Sequence, residues 1–327
     1  TFFFINITPT FKIKSAEIYD FSFYKLENEV IISGLNNNVT NLTIPEKIDG
    51  LYVTQIDDYA FQYSNLESIS LPNSLTKINA EAFAYCYNLT SIILPQNLNY
   101  IGEYAFQSCT NLKEITVNPN LTQLENGAFY NCTSLLEINM PDTVSKLGQY
   151  AFANCTSLVN ISISSKLTII PKNVFENCSS LTTVILPDNL IRINDNAFKN
   201  CTGLTSVSLP KKLQNLNAYA FYNCINLENI VLPSDLISIG SLCFYNCEKL
   251  TSISIPSKIN SINFGVFYNC TALTELSLPS KLQYINNYAF YNCSKLQNII
   301  FPESLTYIGS YAFYKCTSIS SINLPNS

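Results

Sequence analysis

The sequence predicts a repeat solenoid, and three periodic columns of residues predict it. Phenylalanine recurs at steps of 23 at Phe83, Phe106, Phe129, Phe152, Phe175, Phe198, Phe221, Phe244, Phe267, Phe290 and Phe313, with Phe61 one step of 22 earlier. Three residues after each phenylalanine stands a cysteine, from Cys86 to Cys316; the first copy alone carries Ser64 instead. Twelve residues after the phenylalanine comes proline, at Pro95, Pro141, Pro187, Pro210, Pro233, Pro256, Pro279, Pro302 and Pro325. Pro119 is displaced by one, and Ser164 replaces the proline once. A fixed period of this length marks coils that stack, each burying against its neighbours an apolar row it cannot bury alone.

One coil, Cys201 to Cys224, shows the internal plan. Its apolar residues are Leu204, Val207, Leu209, Leu213, Leu216, Ala220, Phe221 and Cys224, a spacing that fits neither one helix nor one strand. The spacing predicts a short strand over Leu204–Leu209, a turn at Pro210, a second extended run through Leu216, and a tight helical turn at Ala220–Cys224. Stacked, such coils make a parallel β-sheet on one face and short turns or helical turns on the other.

In chain order, residues 1–38 form an N-terminal cap. Within it Phe21–Leu26 and Val30–Ser33 alternate around Glu27-Asn28-Glu29, which predicts a β-hairpin covering the first coil. The solenoid occupies 39–327 and begins with a degenerate coil, 39–61, carrying Leu42, Ile44, Pro45, Ile48, Val53 and Ile56. There an inserted Asp49-Gly50 predicts a turn that the regular coils lack. The last coil stops at Leu324-Pro325-Asn326-Ser327, just after its strand. Such an end exposes apolar surface and sheet edges, so the natural protein is expected to continue.

Composition narrows the function. The chain has 327 residues and a net charge of −5, with Arg192 its single arginine. Nucleic acid wants a basic stripe, and an anionic membrane wants a polybasic patch; neither is present. No apolar run is long enough to span a membrane. The opening TFFFINI is too short for a signal sequence and lacks an initiating Met, so a mature form or a fragment is expected. With no histidine in the chain, Ser-His-Asp and Cys-His catalysis are excluded, as are most catalytic zinc sites. Nine glycines leave little material for a phosphate loop. Glu114 and Glu137 share one position in adjacent coils and read as a solvated acidic spot rather than a cation site. The sequence assigns no catalytic, cofactor-binding or metal-binding residue.

The cysteine column invites disulfides but fits buried free thiols better. Aligned side chains in a parallel stack stand roughly 5 Å apart, whereas a disulfide needs Cβ atoms at ~3.8 Å. Cys243 stands where other copies carry Ala and reads as packing. Unpaired thiols also favour a reducing compartment. Asparagine precedes the cysteine at Asn131, Asn154, Asn177, Asn200, Asn223, Asn246, Asn269 and Asn292, which predicts an amide ladder along the stack. Where Ser or Thr follows the cysteine, the same residues spell glycosylation sequons. Asn6, Asn38, Asn41 and Asn120 are the better glycan acceptors.

Outward strand positions are the expected binding surface. One column holds Ser206, Asn229, Ser252, Glu275 and Asn298; its neighbour holds Ser208, Val231, Ser254, Ser277 and Ile300. Together they predict a broad, small-polar face with isolated apolar spots, suited to a protein or glycan ligand. An alternative surface is the strip Tyr222, Tyr245, Tyr268, Tyr291 and Tyr314, either a stacking ladder or an aromatic contact.

The run Cys247-Glu-Lys-Leu250-Thr-Ser-Ile253-Ser-Ile255-Pro256, continuing to Phe267 and Cys270, resembles the BspA-like (Treponema-type) leucine-rich repeat. The entry segment Leu42-Thr-Ile-Pro-Glu-Lys-Ile-Asp-Gly-Leu-Tyr-Val53 resembles that family's usual first coil, and the resemblance covers Val39 to Pro325. It implies a right-handed leucine-rich-repeat solenoid on a surface or secreted protein of mucosa-dwelling bacteria or protozoa, used in adhesion and in binding host proteins. It implies no catalytic residues. The expected function is therefore an extracellular or cell-surface interaction module, monomeric and not an enzyme. A structural spacer and a cytoplasmic interaction scaffold are the alternatives.

Overall fold

The structure, a computed structural model, describes residues 19–327. The TFFFINI segment and Asn6 lie outside the described residues. The first elements are a hairpin: β1 (Phe21–Leu26) pairs antiparallel with β2 (Glu29–Leu35), and Glu27 takes the left-handed backbone of the turn, at φ 52°. The degenerate coil follows with β3 (Asn41–Thr43), β4 (Lys47–Ile48) and β5 (Leu51–Ile56). Its inserted Asp49-Gly50 turns β4 back antiparallel onto β5, both turn residues at positive φ, 49° and 83°. Two consecutive positive φ values are what a tight two-residue hairpin requires.

Regular coils then contribute two short strands each, starting with β6 (Ser68–Ser70) and β7 (Lys77–Ile78). β3 and β6 open one parallel column, which Ser91–Ile93, Glu114–Thr116 and their successors continue. β5 and β7 open the second, with Tyr100–Ile101 and Gln123–Leu124 after them. β2 pairs parallel with β5, so the hairpin lies along the N-terminal edge of this second sheet. The period holds the register: Ser206 faces Asn229 and Val207 faces Ile230, each one full coil on. The strands span only two or three residues because each coil must bend at its proline and again at its phenylalanine.

The third side corrects one expectation. Ala220–Cys224 and its equivalents are not helical turns, and no helix occurs among the described residues. In the coil around Phe198, the N–H groups of Ala197, Lys199 and Cys201 close three overlapping turns on Asn194, Asn196 and Phe198. The alternate N–H groups of Asn196, Phe198 and Asn200 instead cross to the carbonyls of Ala218, Ala220 and Tyr222 in the next coil. Asn196 and Asn200 sit at φ 56° and 61°, in the third position of the first and last turns, where a type II turn needs positive φ. A helix would direct every N–H along its own axis and leave the stacking direction unpaired. Alternating turns satisfy both directions, as buried backbone demands.

The interior is a row of layers. Phe198, Phe221 and Phe244 are fully buried, with successive rings nearly parallel and centroids 5.3 and 5.6 Å apart. Leu204, Val207, Leu213 and Leu216 fill the space between the Phe column and the two sheets. At Gly148 the coils approach so closely that a Cβ would lie 2.3 Å from backbone atoms of Glu125 and Asn126.

Candidate partner-binding surfaces

The strand face places the expected residues together. Ser206, Ser208, Asn229, Val231, Ser254, Glu275, Ser277, Asn298 and Ile300 are all exposed, and Ser252 is half-buried. Pairing brings Ser252 beside Glu275 and Ser254 beside Ser277. Four aliphatic side chains stand out from this polar sheet: Ile93, Ile185, Val231 and Ile300 are 69–87% exposed. Three of them flank open depressions. Val231, Ser252, Ser254, Glu275 and Ser277 line one of about 440 Å³. Ile185, Ser208, Pro210 and the Lys211–Lys212 pair line one of about 600 Å³, with Asp188 on its rim. Ile93, Thr116 and Asn118 help line one of about 540 Å³. Lys211 and Lys212 were missed in the sequence reading because they belong to the proline turn, not to the strand.

The alternative strip is a stacked ladder. Ring centroids from Tyr222 to Tyr245, Tyr268, Tyr291 and Tyr314 are 4.5, 4.8, 4.4 and 5.3 Å apart. Burial, with the neighbouring phenol second, raises Tyr222 and Tyr268 above the usual tyrosine range. The sequence reading overlooked a companion column two and three residues before the phenylalanine. Tyr219, Phe264, Tyr288 and Tyr311 widen the strip there, with Tyr288 5.8 Å from Tyr291 and 5.3 Å from Tyr311. The common offset of Tyr219, Tyr288 and Tyr311, two residues before the phenylalanine, was the available signal. Lys315 lies 5.9 Å from the rings of both Tyr291 and Tyr314.

The polar columns are committed to the scaffold. All twelve cysteines are free and buried. Each of the column thiols, Cys243 being outside the column, donates to the preceding coil's phenylalanine carbonyl, as Cys109 does to Phe83 over 3.1 Å. Burial pushes the inner thiols up, Cys155 and Cys243 to about 12. At the column ends Cys86 and Cys316 move down instead, because hydrogen bonds from Cys109 and Cys293 favour their thiolates. The asparagine amides form the expected ladder: Asn177 donates to Asn154, Asn200 to Asn177 and Asn223 to Asn200, at 2.7, 2.7 and 3.1 Å. Asn38, Asn41 and Asn120 are exposed, and so are Asn88 and Asn160, two further sequons that the sequence reading passed over. No group of acidic or sulfur ligands among the described residues could hold a metal ion, and no helix among them is long and apolar enough to cross a membrane.

Comparison with known proteins agrees with this geometry. The family model described as BspA type Leucine rich repeat region (6 copies) matches residues 17–159, 122–251, 168–281 and 214–327. Among solved structures, a leucine-rich cell surface protein of Faecalibacterium prausnitzii is 25% identical, covers 92% of each chain and superposes at a TM-score of 0.62. A leucine-rich repeat protein of Bacteroides ovatus, 24% identical, covers 89% of this chain and 98% of its own at a TM-score of 0.57. The pneumococcal vaccine antigen PcpA, 21% identical over 88% and 91% of the two chains, gives 0.51. No curated protein matches the chain in sequence. With nearly its whole length matched by the family model, this chain belongs to the BspA-type leucine-rich-repeat family.

Proposed function

We propose that the chain is an extracellular or cell-surface adhesion module that holds a protein or glycan partner on its strand face. The observation that carries this reading is the pairing of open depressions with protruding Ile93, Ile185 and Val231 on an otherwise small-polar sheet. A sheet needs no aliphatic residue on its solvent side for stability, whereas a partner gains from a few desolvated anchors set among near-neutral contacts. The anchors stand four and two coils apart, or ~20 and ~10 Å at the usual strand spacing, a span that suits an extended macromolecular surface. The likeness to a cell surface protein of Faecalibacterium prausnitzii supports the location.

The twelve unpaired thiols favour a second reading, an intracellular interaction scaffold. Their burial weakens that alternative, because a thiol shut away from solvent is shielded from oxidants in any compartment. Binding of the purified chain to epithelial cells and to immobilised matrix proteins tests the first reading. Ile185→Lys with Val231→Lys should lower binding by more than a hundredfold, at ~2 kcal/mol or more per anchor. Binding undiminished in that variant places the site elsewhere. Recovery of the native protein only from the cytosolic fraction favours the scaffold.

A further inference from the structure

The turn face differs sharply between the two ends of the solenoid. The first three coils place Asp58, Glu81 and Glu103 around the phenylalanine turn, and two later ones place Glu176 and Asp195 there beside Lys172 and Lys199, with Lys199 paired to Glu176 at 2.9 Å. The last five coils carry aromatic or other uncharged residues at the same positions, Leu242 and Gly265 among them, and Lys315 is the one charge beside them. Their tyrosine ladder repeats at 4.4–5.3 Å. That is the spacing at which stacked strands interlock identical side chains into dry, self-complementary interfaces.

We infer that two copies of this chain pair through their tyrosine strips, related by a two-fold axis that passes beside Tyr268. A two-fold contact uses one patch twice, so residue i meets j and j meets i. Five rungs then set Tyr245 against the partner chain's Tyr291 rung and Tyr222 against its Tyr314 rung. Charge selects this patch for self-contact. A chain of net charge −5 repels its copy, most of all where the early acidic side chains would face one another. The tyrosine strip carries none of these acidic side chains, and it is the part of the turn face where uncharged positions coincide with a continuous aromatic ladder.

The area is of the right order. Tyr219, Phe264, Tyr311 and Tyr314 are 36–56% exposed. At roughly 200 Å² per aromatic side chain, these four alone leave roughly 370 Å² open. The half-buried rings of Tyr222, Tyr245, Tyr268, Tyr288 and Tyr291, with the intervening Asn and Ser, bring the face towards the ~800 Å² per partner of a standard interface. Pairing this way leaves both strand faces open. The dimer would present two copies of any strand-face site, and the second binding event would become intramolecular. On this inference the chain acts as a bivalent pair, in place of the monomer expected from the sequence.

Sedimentation equilibrium should give twice the 36.7 kDa of one chain, with the dimer dissociating on dilution. Phe264→Glu sets like charges across the axis without touching the ladder, and should yield a monomer whose melting temperature matches that of the wild type diluted below its dissociation constant and no longer depends on concentration. Tyr268→Cys supplies a thiol at a half-buried surface position, whereas the native twelve are buried, and a short bis-maleimide should link it to its copy. Val231→Cys, on the strand face, should stay unlinked. A monomeric wild type at every concentration overturns the inference, as does a dimer that survives Phe264→Glu. A monomer that binds a glycan or another protein through the tyrosine strip overturns it too. The strand-face reading is tested separately, because Ile185→Lys with Val231→Lys should lose binding yet remain dimeric.

Discussion

The thiol of Cys224 donates to the backbone carbonyl of Phe198, 3.2 Å away in the preceding coil. That carbonyl also accepts the N–H of Cys201 at 3.2 Å, so one oxygen closes its own turn and ties down the next coil. Cys224→Ala therefore removes a weak bond and opens a small cavity without leaving the carbonyl bare. The expected loss is ~1–2 kcal/mol by urea titration. A loss above ~3 kcal/mol would show that the thiol bond, not packing, holds the coils. In the wild type all twelve thiols should alkylate slowly when folded and rapidly in denaturant, and the unreduced mass should show no disulfide.

Phe198→Ala in mid-array should cost ~3–5 kcal/mol, the usual range for truncating a buried phenylalanine. The ring is wholly buried and stacks on both Phe175 and Phe221, at 5.3 Å each. Coils couple mainly to neighbours, so damage should stay local and split the unfolding transition. A single transition shifted by under ~1 kcal/mol would mean the phenylalanine column is not the core.

Asn200 serves two purposes that substitutions separate. Its amide donates to Asn177 and accepts from Asn223, and its backbone holds φ 61°. Asn200→Gly keeps the backbone and breaks the ladder, costing ~1–2 kcal/mol for two partly exposed bonds. Asn200→Ala adds the left-handed penalty of ~1–2 kcal/mol. Equal melting temperatures for the two variants would show that the ladder alone matters.

Burial raises the pKa of ten thiols, Cys109 through Cys293, in the folded state. Above the ordinary thiol value of 9.0 the unfolded chain has lost protons that the folded chain still holds. Stability is therefore complete below pH 9 and falls as pH rises towards about 12, where Cys155 and Cys243 titrate when folded. Each thiol contributes a slope of ~1.4 kcal/mol per pH unit, so ten together approach a whole domain's stability within one unit. Melting temperatures should be level from pH 7 to 8 and collapse just above pH 9. A protein equally stable at pH 10.5 would show that the column is wet.

The sequence by itself determined the period, the phase and the buried side of every coil. Side chains that recur every 23 residues must stack, and stacking alone decides which of them leave water. The Asp49-Gly50 turn, the free thiols and the asparagine ladder were legible for the same reason, since each follows from local chemistry repeated in register. The turn at Ala220–Cys224 was not legible. Its apolar spacing fits a helical turn, and only the neighbouring coil, which takes the N–H groups of Phe221 and Asn223, makes alternating turns the better solution. The strand-face depressions and the width of the aromatic strip also waited on tertiary structure. They join residues such as Ile185 and Lys211, or Tyr268 and Tyr288, whose nearness depends on how one coil sits on the next.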